Sequence, residues 1–333
     1  MKKILIFEPN SDQALAIAKY IKKYSDFHIT GVSEKKTFSS KKNFDEIIIK
    51  KFSDVEIDRY DYVFPMGANS TYEIVNKYKE LYYENEISFS HLNLIAFDKP
   101  KMLDIADSLN IPIPETFYKK ENITKFPVFY KENFENGRGV RGVANNADEI
   151  PHCKKLIYQE FIDTPFTYGV GFLAKEGKII TSVQHKEILS YPKEGGSAVV
   201  IESFYDERLV RYTQKLLEKI KYNGWGLAEF KYCNYRKDFV FMEINAKFWA
   251  SVGFALHNNN VFLKKLLNID YSSGKTRRMI FINRLLNYNI SDIVKSFKFV
   301  GWGKWVADGS FVFRLIKAAV PSFIMNLLKK IST

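Results

Sequence analysis

Apolar positions along the chain change period several times, and each change marks a predicted element. Ile4-Leu5-Ile6-Phe7 reads as a short buried strand, Ala14, Leu15, Ala18 and Ile21 recur at helical spacing, and Phe27 to Val32 returns to strand. Strand, turn, helix, strand predicts a parallel sheet. Its first turn, Glu8-Pro9-Asn10-Ser11-Asp12, has no glycine, which argues against a dinucleotide-binding domain, where backbone must approach a pyrophosphate closely. A further strand, Tyr62 to Pro65, runs into Met66-Gly67-Ala68-Asn69-Ser70, read as the cap of a helix from Thr71. Ligands bind at the C-terminal ends of such strands, so Asn69 and Ser70 are also substrate candidates.

A second unit begins near Ala96. Asp98-Lys99-Pro100 opens a helix through Leu109, and Ile111-Pro112-Ile113-Pro114 is an extended connector. Strands follow at 128–131, 140–144 and 155–162, then a hairpin of 167–173 with 178–184 turning at Glu176-Gly177, then a helix over 207–221 with Leu209, Leu216, Leu217 and Ile220 on one face. Mixed α/β and α+β elements in 333 residues predict two or three packed units. No internal repeat or low-complexity tract occurs.

Composition narrows the class. Hydrophobic residues make up 46% and charged residues 26%, as in globular chains. Cys153 and Cys233 are the only cysteines, so no disulfide framework is expected and a reducing cytoplasm fits. The 20 tyrosines and 28 phenylalanines read as core rather than as a stacking surface. The opening apolar run is too short for a signal peptide, and no uncharged run is long enough to span a bilayer. Net charge is +12, but unevenly placed: residues 251–333 hold 13 basic and 3 acidic side chains, whereas 1–250 are close to balance. This favours a local anionic contact over a generally basic protein.

The densest chemistry lies in Gly226 to Asn245, two apolar-rich strands around the polar turn Asn234 to Asp238. Symmetric closure sets Cys233 opposite Phe239 and Glu229 opposite Glu243, with Asn245 on the same face. Facing carboxylates repel unless a cation sits between them, and two carboxylates with an amide oxygen suit Mg²⁺. Spacing alone also fits a solvated face with scattered charges. A second feature favours the metal: Lys131 precedes the loop Glu135 to Val143, where Gly137, Gly139 and Gly142 permit backbone N–H groups to approach phosphate oxygens.

Taken in order, Asp98-Lys99, Lys131 with its glycine loop, Tyr158-Gln159-Glu160-Phe161-Ile162, Glu229, and Met242-Glu243-Ile244-Asn245-Ala246-Lys247-Phe248-Trp249 resemble the ATP-grasp superfamily over about residues 1–270. The branch most similar is that of carboxylate-amine ligase-like proteins related to the carbamoyl-phosphate synthase large subunit. The resemblance implies an N-terminal Rossmann-like domain over 1–95, ATP-grasp subdomains over 96–165 and 166–275, and a basic C-terminal extension over 276–333. It implies that Lys99 and Lys131 hold the α- and β-phosphates of ATP under the glycine loop around Gly137, Arg138 and Gly139. Gln159, Glu160, Phe161 and Ile162 become the hinge that meets adenine, Glu160 through side chain or backbone. Glu229, Glu243 and Asn245 bind Mg²⁺, with Mn²⁺ as an alternative. Lys247 stands where the family usually has Arg, keeping the charge but losing the bidentate fork. Phe166-Thr167-Tyr168 replaces the usual ribose-binding Glu. Of Gln184-His185-Lys186-Glu187, His185 and Lys186 match a basic pair near the γ-phosphate, although a strand histidine is as readily structural.

The activity implied is that of an ATP-dependent ligase joining a carboxylate, activated as acyl phosphate, to an amine, with a place in surface-glycan biosynthesis. A small-molecule kinase and a non-catalytic nucleotide-binding peripheral protein are the alternatives. Nucleic acid is not an expected partner, since no recognisable motif accompanies the basic pI. Over 321–331, Phe323, Ile324, Leu327, Leu328 and Ile331 fall on one helical face. With the basic and aromatic residues from Lys295 to Lys317, this segment is read either as a peripheral contact with an anionic inner leaflet through 295–333 or as a helix docked on the core. Oligomeric state and the identities of carboxylate and amine are not legible.

Overall fold

The computed structural model describes residues 1–35, 43–134, 139–152, 155–191, 196–281, 284 and the backbone of 305–307. The first sheet is wholly parallel, ordered β3-β2-β1-β4, with β1 (Lys3–Phe7), β2 (His28–Ser33), β3 (Glu46–Ile49) and β4 (Tyr62–Phe64). Helix α1 (Asp12–Tyr24) buries Ala14, Leu15, Ala18 and Ile21, and Ser11 caps it by accepting the Ala14 N–H at 3.3 Å. Helix α2 (Ala68–Tyr78) starts earlier than Thr71. Gly67 is its N-cap, with its N–H donated to Ser70 Oγ at 3.1 Å, and Ser70 donates to the Glu8 carboxylate at 3.2 Å. Ser70 is therefore buried in capping and Asn69 is an exposed first-turn residue.

A small hairpin, β5 (Glu80–Tyr82) with β6 (Ser88–Ser90), precedes α3 (Lys99–Ser108), which Asp98 caps by accepting the Lys101 N–H at 3.1 Å. The second sheet is antiparallel, ordered β7-β10-β8-β9, from β7 (Thr116–Phe117), β8 (Val128–Glu132), β9 (Arg141–Ala144) and β10 (Leu156–Glu160). It has its own small core of Val128, Ala144, Ile150, Leu156 and Tyr158.

The largest sheet is built from β11 (Thr167–Lys175), β12 (Lys178–Tyr191), β13 (Ser197–Ser203), β14 (Gly224–Cys233), β15 (Asp238–Asn245), β16 (Arg278–Ile280) and β17 (Trp305–Ala307), in the order β15-β14-β11-β12-β13-β16-β17. The β11–β12 hairpin turns at Glu176 and Gly177, both with positive φ (50° and 81°), the conformation a tight hairpin turn requires. Helix α4 (Glu207–Ile220) lays Leu209, Tyr212, Leu216 and Leu217 on the sheet face away from the cleft; α5 (Val252–Asn258) and α6 (Val261–Leu267) are almost wholly apolar where they pack. Strand β17 pairs in parallel with β16, so part of the basic extension continues the sheet in extended form. The amphipathic segment 321–331, and most of 285–333, lies outside the described residues. Among the described residues, no helix is long and apolar enough to cross a membrane.

One continuous core joins the first and largest sheets. Trp225 stacks on Phe248 with ring centroids 4.2 Å apart, and Phe89, Tyr83 and Phe64 close around it at 4.8, 5.1 and 5.5 Å. Much of the aromatic excess is spent here, as offset and edge-on contacts.

Candidate functional site

A cleft of about 420 Å³ is lined by residues of the second and largest sheets and of the segment after β15. Its floor owes its charge to the β14–β15 hairpin. Cys233 pairs with Asp238 rather than Phe239, a register one residue off the symmetric expectation; a bulge between Glu229 and Phe230, with Met242 as the extra residue, absorbs the offset, so that Glu229 still faces Glu243. A one-residue slip without the bulge would turn Glu243 to the other face. The bulge also serves the site directly, because the Met242 carbonyl accepts from Lys131 Nζ at 3.2 Å.

Lys131, only 6% exposed, arrives from β8 and donates to Glu243 Oε2 at 3.1 Å. Lys99, 7% exposed, enters from the first turn of α3, and Lys247 donates to Asn245 Oδ1 at 2.7 Å. The cleft walls desolvate both carboxylates, but the outcomes differ. Around Glu243, the Lys131, Lys99 and Lys247 ammoniums overcome desolvation and hold its pKa below the carboxylate range; Glu229 is pushed up, by desolvation first and then by the charges of Glu243 and Glu187. Among the described residues, no three His, Cys, Asp or Glu side chains cluster as a self-sufficient metal site. Two carboxylates and an amide oxygen beside phosphate-length lysines fit Mg²⁺, which is held by few protein oxygens and completes its shell with phosphate and water.

The expected hinge divides. Gln159 is fully buried, donating to Thr116 Oγ1 at 3.3 Å, and does not line the cleft. The Glu160 carboxylate is tied to the β14–β15 turn, accepting from Tyr235 and, at 2.6 Å, from Arg236; its N–H donates to Glu115 O at 2.8 Å. This corrects the side-chain adenine role, since both oxygens already have donors. Phe161 is half-buried, and Ile162 packs with Cys233, Val240 and Met242 in a small buried cluster, of which Met242 lines the cleft. Gly139 lines the cleft; Gly137 and Arg138 lie outside the described residues.

The basic pair on β12 is also corrected. His185 shares the row of Gly169, Glu229 and Glu243, but it is 2% exposed, sealed beneath Phe254 of α5, and burial lowers its pKa to about 4. Gly169 leaves the imbedded ring its room: a Cβ there would meet His185 Cε1 at 2.5 Å. Lys186 points to the opposite face, over the Phe166 ring at 4.8 Å and 3.9 Å from Glu202. Alternation instead brings Glu187 into the cleft, with Lys231, Gln13 and Arg284 as further lining residues that sequence reasoning missed. Arg284 bridges to Asp12 at 2.8 Å, tying the basic extension to α1.

No family model matches the chain, and no curated protein does. Solved structures do. An N5-carboxyaminoimidazole ribonucleotide synthetase in its ADP complex is 12% identical with a TM-score of 0.64, matching 89% of this chain and 85% of that one. An L-amino acid ligase from Bacillus licheniformis is 12% identical with a TM-score of 0.57, over 80% and 73%. A Rhizobium etli pyruvate carboxylase is 14% identical with a TM-score of 0.59, over 79% of this chain but only 29% of that much longer one. With the element order and sheets described above, these likenesses establish the ATP-grasp fold.

Proposed function

We propose that this chain is an ATP- and Mg²⁺-dependent ligase that activates a carboxylate as an acyl phosphate and joins it to an amine. The observation that carries the reading is the Glu229–Glu243 pair, with Asn245 beside it, facing Lys131, Lys99 and Lys247 across one cleft. Three lysines converging on two carboxylates form a floor of mixed charge with a surplus of cations, which exchanges partners readily: phosphate oxygens take the lysines while a cation takes the carboxylates. Bound there, Mg²⁺ supplies charge neutralisation on the transferring phosphoryl group. Lys131 and Lys99 hold the phosphates, Lys247 orients Asn245 and faces the γ-phosphate, and Met242, backed by the buried Ile162, offers the base an apolar seat. The hinge backbone, freed from the Glu160 side chain, supplies the polar contacts to adenine.

The carboxylate attacks the γ-phosphorus, ADP leaves, and the amine then displaces phosphate from the acyl carbon. No protein nucleophile is needed, and positioning and electrostatics carry the rate. A glycan-intermediate uronate is the first carboxylate class to try. ADP release, screened over carboxylate and amine pairs, tests the reading: Glu243→Gln lowers turnover by about a hundredfold or more while nucleotide still binds, more weakly. Undiminished turnover in that variant with its true substrates contradicts the assignment.

A further inference from the structure

The far wall of the cleft carries a carboxylate for which phosphoryl transfer has no use. Glu187 stands on β12, two strands from Glu229 and two residues along, since Glu187 pairs with Thr167 and Glu229 with Gly169; at about 4.8 Å per strand and about 3.3 Å per residue their backbones lie roughly 12 Å apart, enough for an acyl phosphate to lie between them. The β12–β13 ladder is broken just beyond it: Glu187 pairs with Ile201, Leu189 with Val200 and Ser190 with Ala198, so the register shifts twice in succession. Such bulges give up ladder pairing and re-aim side chains. Here they fold Ser190 back, and its hydroxyl donates to Glu187 Oε2 at 3.2 Å.

The charged groups facing Glu187 are Lys231 and Glu229 on β14, Arg141 on β9 and Arg284. Among the described residues none of the three cations forms an ion pair with it. Arg284 is engaged by Asp12 at 2.8 Å and by the Ala198 carbonyl at 2.6 Å, Lys231 leans to the Thr164 carbonyl at 3.5 Å, and Arg141 is exposed on the opposing sheet. Desolvation by the cleft raises the proton affinity of Glu187, against the pull of these cations. A carboxylate set in a cleft wall, steadied by one hydroxyl and inclined to take a proton, is chemically complementary to an ammonium.

We propose that this wall is the amine site: a primary amine enters as its ammonium and hydrogen-bonds to Glu187, which takes a proton from it. The inference rests on the ligase reading above. The ammonium gives one proton to the carboxylate, and the freed nitrogen lone pair attacks the acyl carbon. A C–N bond forms, the C–O bond to phosphorus's oxygen breaks with its electron pair going to phosphate, and a second nitrogen proton leaves with phosphate as hydrogen phosphate. Glu187 then releases its proton to water. Protonation of Glu187 is the general-base step, and such steps contribute about a hundredfold or more.

The test uses full-length protein with ATP, Mg²⁺ and a set of carboxylates. Two nucleophiles are compared. Hydroxylamine is uncharged near neutral pH and traps an acyl phosphate as hydroxamate without a base; ammonium chloride, methylamine and ethanolamine arrive charged. In Glu187→Gln the ratio of amide to hydroxamate formation falls by about a hundredfold, and Glu187→Asp restores part of it. Normalising to hydroxamate in the same variant separates this effect from any loss of folded protein, which circular dichroism checks independently. An unchanged ratio overturns the amine site while leaving the ligase reading intact; hydroxamate without amide in the wild type overturns the amine site and reduces the ligase reading to formation of an acyl phosphate. No hydroxamate from any carboxylate removes the ligase reading and the amine site with it.

Discussion

At the hairpin end of the cleft, the lysines have partners within the protein: Lys131 forms an ion pair with Glu243 at 3.1 Å and Lys247 donates to the neutral Asn245 amide at 2.7 Å. At the far end, Glu187 takes one hydroxyl from Ser190 at 3.2 Å, while the nearby guanidinium of Arg284 is committed to Asp12. On the ligase reading proposed above, the first arrangement stores cations for a polyanion, and nucleotide entry exchanges the Lys131–Glu243 ion pair for contacts to phosphate. In the second, Glu187 has no ion pair among the described residues, and a desolvated carboxylate is costly unless a ligand brings the proton or the cation. One cleft thus has an end lined by lysines and an end lined by Glu187, two strand spacings and two residues apart on the largest sheet, and the proposals above assign phosphate to the first and an ammonium to the second.

The contrast can be broken most severely at Lys131. Lys131→Met strips Glu243 of its closest cation and removes a phosphate ligand. A charge-assisted hydrogen bond of about 2–3 kcal/mol corresponds to nucleotide affinity falling roughly a hundredfold, measured by calorimetry. Lys186→Met, altering the opposite face, leaves that affinity within about twofold; equal losses in the two variants would erase the distinction between the faces.

A smaller effect comes from the buried ring in the Glu229 row. Burial lowers the His185 pKa from 6.5 to about 4, so as pH falls below 6.5 the unfolded chain takes up a proton that the folded chain refuses. Stability attributable to this residue is intact above pH 6.5 and is lost progressively down to about pH 4, amounting to about 2 kcal/mol between pH 7 and pH 5. Urea denaturation at the two pH values, comparing wild type with His185→Gln, isolates the contribution as the part of the acid sensitivity that the variant lacks. Wild type and variant losing stability equally would mean that the ring reaches solvent.

How much of this was legible depended on whether the site is local in sequence. At the hairpin end, motif order anticipated that Lys99, Lys131, Glu229, Glu243 and Asn245 would meet in one cleft, and the Glu229–Glu243 pairing emerged from a local hairpin although the turn register was misjudged by one residue. The error and the bulge cancelled. The turn at Glu176-Gly177 and the α4 stripe were legible for the same reason, as short-range backbone and periodicity signals. The far wall was not. Glu187 reaches the cleft while Lys186 does not because of strand alternation in a ladder whose count is disturbed at Leu173/Ala174 and again after Glu187. Arg284 comes from a distant position after β16, whereas Lys231 lies two residues from Glu229 on β14 and alternation alone could have placed it on the same face. Nor could sequence show that Tyr235 and Arg236, in the β14–β15 turn itself, occupy the carboxylate of Glu160.

The central claim, that Glu229 and Glu243 form with the facing lysines a metal–nucleotide site, is tested most directly by titrating a non-hydrolysable ATP analogue with and without Mg²⁺. The account predicts that Mg²⁺ tightens binding by about tenfold or more in the wild type and that Glu229→Gln/Glu243→Gln abolishes this gain while retaining metal-free binding through the lysines. A Mg²⁺ gain of the same size in the double variant would contradict it.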